Sequence, residues 1–166
     1  LFLGDTLDVI NNQLTFAVLD SVVQRDTAAV FAGKVALLGA AQFELNSTRN
    51  QIDTLAGGTS DNRIAGLSLT NQASIVVGTV NPTGIYSTGP ISIATIDGDI
   101  IVSEDISTLN ASNQAIQLFA DSTRMAGDST GGQVILVNDP VFTTGTVGRV
   151  SLFTGNQYAS TGVWDY

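Results

Sequence analysis

Apolar residues along the chain fall into short clusters divided by Gly, Asn, Asp, Ser and Thr. The clearest are Leu14–Val18, Val35–Leu38, Leu67–Leu69, Ile91–Ile93, Ile116–Phe119, Val134–Val137 and Val150–Phe153. Several alternate apolar with polar, as in Leu67-Ser68-Leu69 and Ile91-Ser92-Ile93, which is the period of a strand with one buried face. Most of the steps from one cluster start to the next lie near the length of one solenoid coil, and repeats of roughly 20–50 residues mark solenoids or propellers. The longest step, from Val35 to Leu67, predicts a longer loop, with Gly57-Gly58-Thr59-Ser60-Asp61-Asn62 at its tip.

Second and third strands fit inside a step. Ser74–Val77 and Gly84–Ser87 follow Leu67–Leu69, and Asp99–Val102 and Asp105–Thr108 follow Ile91–Ile93. Asn71-Gln72, Asn81-Pro82-Thr83-Gly84 and Asp97-Gly98-Asp99 read as the turns between them. Three short strands per coil predict an all-β chain wound as a right-handed parallel β-helix of about six to seven coils. The narrow core would fill with Val, Ile, Leu and Ala. The alternative is an antiparallel β-sandwich, which also gives many short strands. Its hairpin turns are scarce, with Asp97-Gly98 the only Asn-Gly or Asp-Gly pair. Leu19–Ala32 admits either a short helix capped by Ser21 or two strands around Arg25-Asp26-Thr27. The β-branched Val22, Val23 and Val30 favour strands.

Composition sharpens this picture. Of the 166 residues, 43% are hydrophobic and only 13% charged, against about a quarter charged in an average globular chain. Ser, Thr, Asn, Gln and Gly must therefore cover the surface, which suits strands and turns. Lys34 is the only Lys, and long surface helices normally draw on Lys, Glu and Arg. The net charge of −9 and pI of about 4.1 argue against nucleic acid and against an anionic membrane surface. With no Cys and no His, thiolate chemistry, Cys-based metal sites and the commonest general base are absent. Leu1–Ile10 does not read as a signal peptide, and no apolar run approaches the roughly 20 residues that span a membrane.

Several phrases resemble the repetitive regions of filamentous haemagglutinin-like adhesins, giant secreted bacterial proteins. They are Asn50-Gln51-Ile52-Asp53-Thr54-Leu55-Ala56-Gly57, Ile64–Asn71, Gly84–Ile93 followed by Asp97-Gly98-Asp99-Ile100, and Gly148–Gly155 with Ala159-Ser160-Thr161-Gly162. The resemblance runs from Val35 to Tyr166; the stretch from Leu1 to Lys34 carries the texture but none of the phrases. It implies a right-handed β-helix, secretion, and a role in adhesion or surface-fibre structure. It also implies that residues 1–166 are one solenoid segment of a longer rod.

Candidate chemistry is sparse. Glycosidases and lyases need acids converging on one groove. Asp97 with Asp99 reads better as a turn, and Glu104 and Asp105, adjacent on a strand, point to opposite faces. A structural Ca2+ at Asp97-Gly98-Asp99, with Asp139 added, is the metal site to consider, and it ranks below the turn reading. Asp128-Ser129-Thr130-Gly131-Gly132 reads as a loop. No Ser has a His or a G-x-S-x-G elbow to activate it, and Gly57-Gly58-Thr59 lacks the Lys of a phosphate loop. Thr143-Thr144-Gly145-Thr146, Thr79, Thr83 and Thr88 do not recur as an ice-binding array. Tyr86, Tyr158, Trp164 and Tyr166 are the aromatics able to stack on a sugar, and the last three read better as a cap over the end of the stack.

The expectation is thus a structural or adhesive, non-enzymatic segment of a secreted protein at a bacterial cell surface. No catalytic, cofactor or metal residue is assigned. Its partners would be cell-surface glycans, flanking segments of its own chain or other copies of it. A self-assembling extracellular filament subunit is the alternative, and a carbohydrate-active β-helix enzyme ranks third.

Overall fold

A computed structural model describes residues 1–125, 128, 130–156 and 159–161. Sixteen strands are present among them, with no helix. Seven lie in one sheet, face A: β1 (Phe2–Leu3), β3 (Ser21–Gln24), β5 (Gln42–Leu45), β7 (Gly66–Asn71), β10 (Ile91–Thr95), β13 (Ile116–Phe119) and β16 (Val150–Phe153). The second sheet begins with three long strands, β2 (Leu7–Ala17), β4 (Val30–Leu38) and β6 (Gln51–Gly57). After β6 it forks. β8 (Ile75–Val77), β11 (Ile100–Val102) and β14 (Val134–Leu136) continue one branch, and β9 (Ile85–Ser87), β12 (Ile106–Thr108) and β15 (Phe142–Thr143) the other.

Every pair of these strands is parallel, which makes the fold a parallel β-solenoid and excludes the antiparallel sandwich. Along face A, Phe2 faces Val23, Val22 faces Phe43, Phe43 faces Leu67, Leu67 faces Ile91, Ile91 faces Ile116 and Ile116 faces Val150. All but the last of those steps are of similar length, and the one from Ile116 to Val150 is markedly longer. About five turns are regular, slightly fewer than the six to seven expected, because the last step is stretched.

Two details of the expected organisation change. The long step from Val35 to Leu67 is a change of face: Val35 belongs to β4, Leu67 to face A, and the coil partner of Leu67 is Phe43 of β5. Residues 59–62 do form an exposed turn, but a short one inside a normal coil. Three strands per coil hold only from β7 onward. In the earlier turns one long strand bends through the second corner, at Gly33-Lys34 in β4, where the inward series Val30, Ala32 shifts phase to Val35, Leu37. Facing that bend, β2 carries a bulge between Val9 and Gln13, with Asn11 at φ 65°. Leu19–Ala32 forms strands about a turn at Asp26-Thr27, as the β-branched residues suggested.

The core is a set of stacked ladders. Phe43, Leu67, Ile91 and Ile116 form one, and Leu45, Leu69, Ile93 and Leu118 the next, all buried. Ile75, Ile100 and Val134 line the β8–β11–β14 branch, and Ile85 and Ile106 the β9–β12–β15 branch. Each such side chain contributes about 1.5–3 kcal/mol on leaving water. A satellite cluster joins Ala36, Ala56 and Val80. Val80 sits in the loop inserted at the fork, between β8 and β9.

Candidate functional site

The corner that follows face A is built from polar residues turned inward. Gln24, Asn50, Asn71, Thr95 and Asp121 occupy it in successive turns, each at most 7% exposed. Asn50 is the fullest example. Its Nδ2 donates to Gln24 Oε1, Leu45 O and Thr70 O, all at 3.0 Å, and its Oδ1 accepts from Gln24 Nε2 at 2.7 Å and Val30 N at 2.9 Å. Asn71 clasps Ile52 of the previous turn, accepting its N–H at 2.9 Å and donating to its C=O at 3.1 Å. Thr95 Oγ1 accepts from Asp121 N at 2.9 Å, and Asp121 Oδ2 accepts from Gly132 N at 3.3 Å. Turning corners strips backbone groups of sheet partners, and buried ones must be re-paired. These side chains do that between coils, and no buried side-chain N or O among the described residues lacks a partner.

At its Asp121 end this corner opens into a groove of about 240 Å3 lined by Phe119, Ala120, Asp121, Ser122, Arg124, Phe153, Thr154 and Gly155. Phe119 and Phe153 pair in register on the outer side of face A, their rings stacked 4.4 Å apart with planes 7° from parallel. Phe153 is 46% exposed. Arg124 is tied by Nε to the buried Asp121 carboxylate at 2.9 Å, and by Nη1 to Asp128 at 3.3 Å and Thr130 Oγ1 at 3.0 Å. The hydrogen bond to Asp128, then the charge of Asp121, raise the Arg124 pKa. Asp128 is held below its ordinary value, chiefly by the Thr130 N–H and then by the Thr130 hydroxyl.

Three of the acids singled out in the sequence, Asp99, Glu104 and Asp105, are spent on coil-to-coil bonds, and Asp97 joins its turn to the preceding coil through its backbone N–H, which donates to Gln72 O at 3.0 Å. Asp99 Oδ1 accepts from Gln133 N at 2.8 Å, and Gly98 has φ 116°, the turn that was expected. Glu104 Oε1 accepts from Thr79 Oγ1 at 2.9 Å in the preceding turn, whereas Asp105 Oδ1 accepts from Val141 N at 2.8 Å in the following one. Asp139 lies in an exposed turn at φ 51°. Among the described residues no three His, Cys, Asp or Glu converge on a point where a metal could sit. Tyr86 is half-buried beneath the Arg63 guanidinium, 5.5 Å from its ring centroid, while Arg63 Nη1 donates to Ser87 O and Ser107. Ser129, Tyr158, Trp164 and Tyr166, and with them the proposed aromatic cap, lie outside the described residues.

Sequence reasoning missed both the polar corner and the Phe119–Phe153 pair. Signals for each were present: polar residues recur at 24, 50, 71, 95 and 121, and the phrases Ile116-Gln117-Leu118-Phe119 and Val150-Ser151-Leu152-Phe153 match position for position. No family model, curated protein or solved structure matches the chain.

Proposed function

We propose that these residues form a structural or adhesive stretch of a secreted bacterial surface rod, of the kind found in filamentous haemagglutinin-like adhesins, with no catalytic centre of its own. The observation that carries this reading is where the polar side chains go. The side chains of Asn50, Asn71, Asp99, Glu104 and Asp105 all bind a neighbouring turn, and Thr95 Oγ1 accepts the Asp121 N–H of the next one. Groups that a carbohydrate-active β-helix would gather into a cleft here fasten one coil to the next. An acidic, nearly Lys-free surface fits an extracellular setting at the cell surface and disfavours nucleic acid. Glycans and other copies of the rod are the partners this surface would meet.

Negative-stain micrographs of the purified chain, paired with a polysaccharide cleavage screen, test the reading. Short uniform rods that release no reducing ends or unsaturated products are expected. Turnover of any polysaccharide, abolished by substituting Asp99 or Glu104, would sink it.

One observation favours the filament alternative. Among the described residues β2 bonds to β4 alone, and Leu7, Val9 and Leu14 beside it are only partly buried. From Val9 to Leu19 no residue is charged, so the strand lacks the Lys and Pro that usually blunt an edge. Fibres lengthening with concentration would support it.

A further inference from the structure

We propose that the groove beside Phe119 and Phe153 binds a single neutral pyranose ring, the terminal unit of a glycan; the assignment rests on the adhesive reading above. The outer row of face A changes character at its end. Along it, Thr70, Ala94, Phe119 and Phe153 stand in register, so small side chains give way to two phenyl rings in the last two turns. Core packing does not require them, because Leu118 and Leu152 supply the inward positions. Phe153 is 46% exposed among the described residues. An apolar ring face left open next to fixed polar groups is the make-up of a small-ligand site, and about 240 Å3 is below the roughly 300–1,000 Å3 of drug-sized pockets. One ring fits that volume better than a chain of sugars.

The polar wall selects the ligand's charge. Asp121 and Arg124 are the charged residues lining the groove, and they neutralise each other at 2.9 Å. Asp128 lies 3.3 Å from Arg124 Nη1, and this second carboxylate weighs against sulfated or sialylated sugars. Arg124 is held by Asp121, Asp128 and Thr130 before any ligand arrives. Little side-chain freedom remains to be lost on binding. Ser122 adds an exposed hydroxyl, and Ala120 and Gly155 leave space beside the rings. An uncharged pyranose matches this arrangement, with an apolar C–H face for Phe153 and hydroxyls for Arg124 and Ser122.

A glycan array carrying neutral, sialylated and sulfated glycans, followed by saturation-transfer NMR titration of the neutral binders, tests the assignment. Wild type should select neutral terminal sugars. Phe153→Ala should weaken binding about tenfold or more, since an aromatic contact contributes beyond the area it buries. Phe153→Tyr should keep binding, and so should Leu109→Ala, which alters an exposed apolar residue outside the groove. Phe153→Leu preserves apolar bulk without a ring and should behave like Phe153→Ala, so a fold defect in the alanine variant would not hide the result. No neutral-sugar binding, binding confined to anionic glycans, or binding indifferent to Phe153→Ala would each overturn the groove. Glycan binding that ignores Phe153, or rods that attach to cells without it, would leave the adhesive reading standing.

Discussion

Asn50→Ala should be among the most damaging single substitutions in this chain, although it removes only an amide. The side chain is fully buried and takes part in five hydrogen bonds. Truncation would orphan the buried Val30 N–H and Gln24 Nε2, and would strip one partner from Gln24 Oε1, which keeps the Ser47 N–H, and from the Leu45 and Thr70 carbonyls. A buried polar group left without a partner costs about 1–3 kcal/mol. The Leu45 and Thr70 carbonyls retain a second lone pair, so the main burden falls on Val30 N–H and Gln24. Water entering the space would recover some of the loss. A total of about 3–5 kcal/mol follows, against a whole-domain stability of about 5–15 kcal/mol. Urea denaturation followed by far-UV circular dichroism measures it through the midpoint, with the slope showing whether the unfolding reaction itself has changed. Asn12→Ala is the control, since Asn12 is exposed and its Nδ2 reaches Ile10 O only at 3.3 Å. It should shift stability by less than about 0.5 kcal/mol. An Asn50→Ala variant as close to wild type as Asn12→Ala would mean that the inward corner does not hold the coils together.

Ile93→Asp places an unpaired carboxylate in a fully buried ladder position and should cost several kcal/mol, read as lost soluble yield or lost β-sheet ellipticity. Leu136→Asp, at a partly buried position, should cost less. Gly39→Ala should destabilise by more than about 1 kcal/mol, because Gly39 has φ 88° and a Cβ there runs into the Val18 carbonyl oxygen. Gly4→Ala, where a Cβ meets only the Phe2 ring at 3.5 Å, should be near neutral in the same thermal melt. Acid should loosen the Asp128–Thr130 turn. A carboxylate whose folded pKa is depressed stabilises the fold above its ordinary value of 3.8 and loses that contribution as pH falls below it. The protection of the Thr130 amide, taken relative to its intrinsic exchange rate at each pH, should therefore fall below about pH 3.8 and be constant between pH 5 and 7.

The strands and their parallel winding were legible because the alternation Leu67-Ser68-Leu69, repeated in Ile91-Ser92-Ile93 and Val150-Ser151-Leu152, records which side chains face a core. The phase of the repeat was harder. Gln42-Phe43-Glu44-Leu45 offers a hydrophobic pattern only two apolar residues, although Phe43 and Leu45 are fully buried. Without that strand, Val35 and Leu67 read as members of one face. The groove was illegible for a related reason. In Gln117-Leu118-Phe119 either large residue can point inward, and only the coil-to-coil register shows that Leu118 does and Phe119 does not. The polar corner is opaque to a hydrophobic pattern altogether, because Asn50 reads as a surface residue until the groups it re-pairs are known.

The corner residue varies along the stack, through Gln24, Asn50, Asn71 and Thr95, but stays uncharged until Asp121. Through Asn50 and Asn71 the corner uses neutral amides that satisfy backbone groups on both sides. At Asp121 the corner carries a buried carboxylate, which requires a cation, and Arg124 supplies it. That exchange coincides with the lengthening of the coil between Ile116 and Val150, with the outward turn of Phe119 and Phe153, and with the groove. A charge pair is a more demanding way to close a corner than an amide, since burying it is costly unless its partner is fixed. Stability alone would have kept an uncharged side chain, as at Thr95. The departure is better explained if the guanidinium beside the phenyl rings is what was needed, with Asp121 as the means of holding it there.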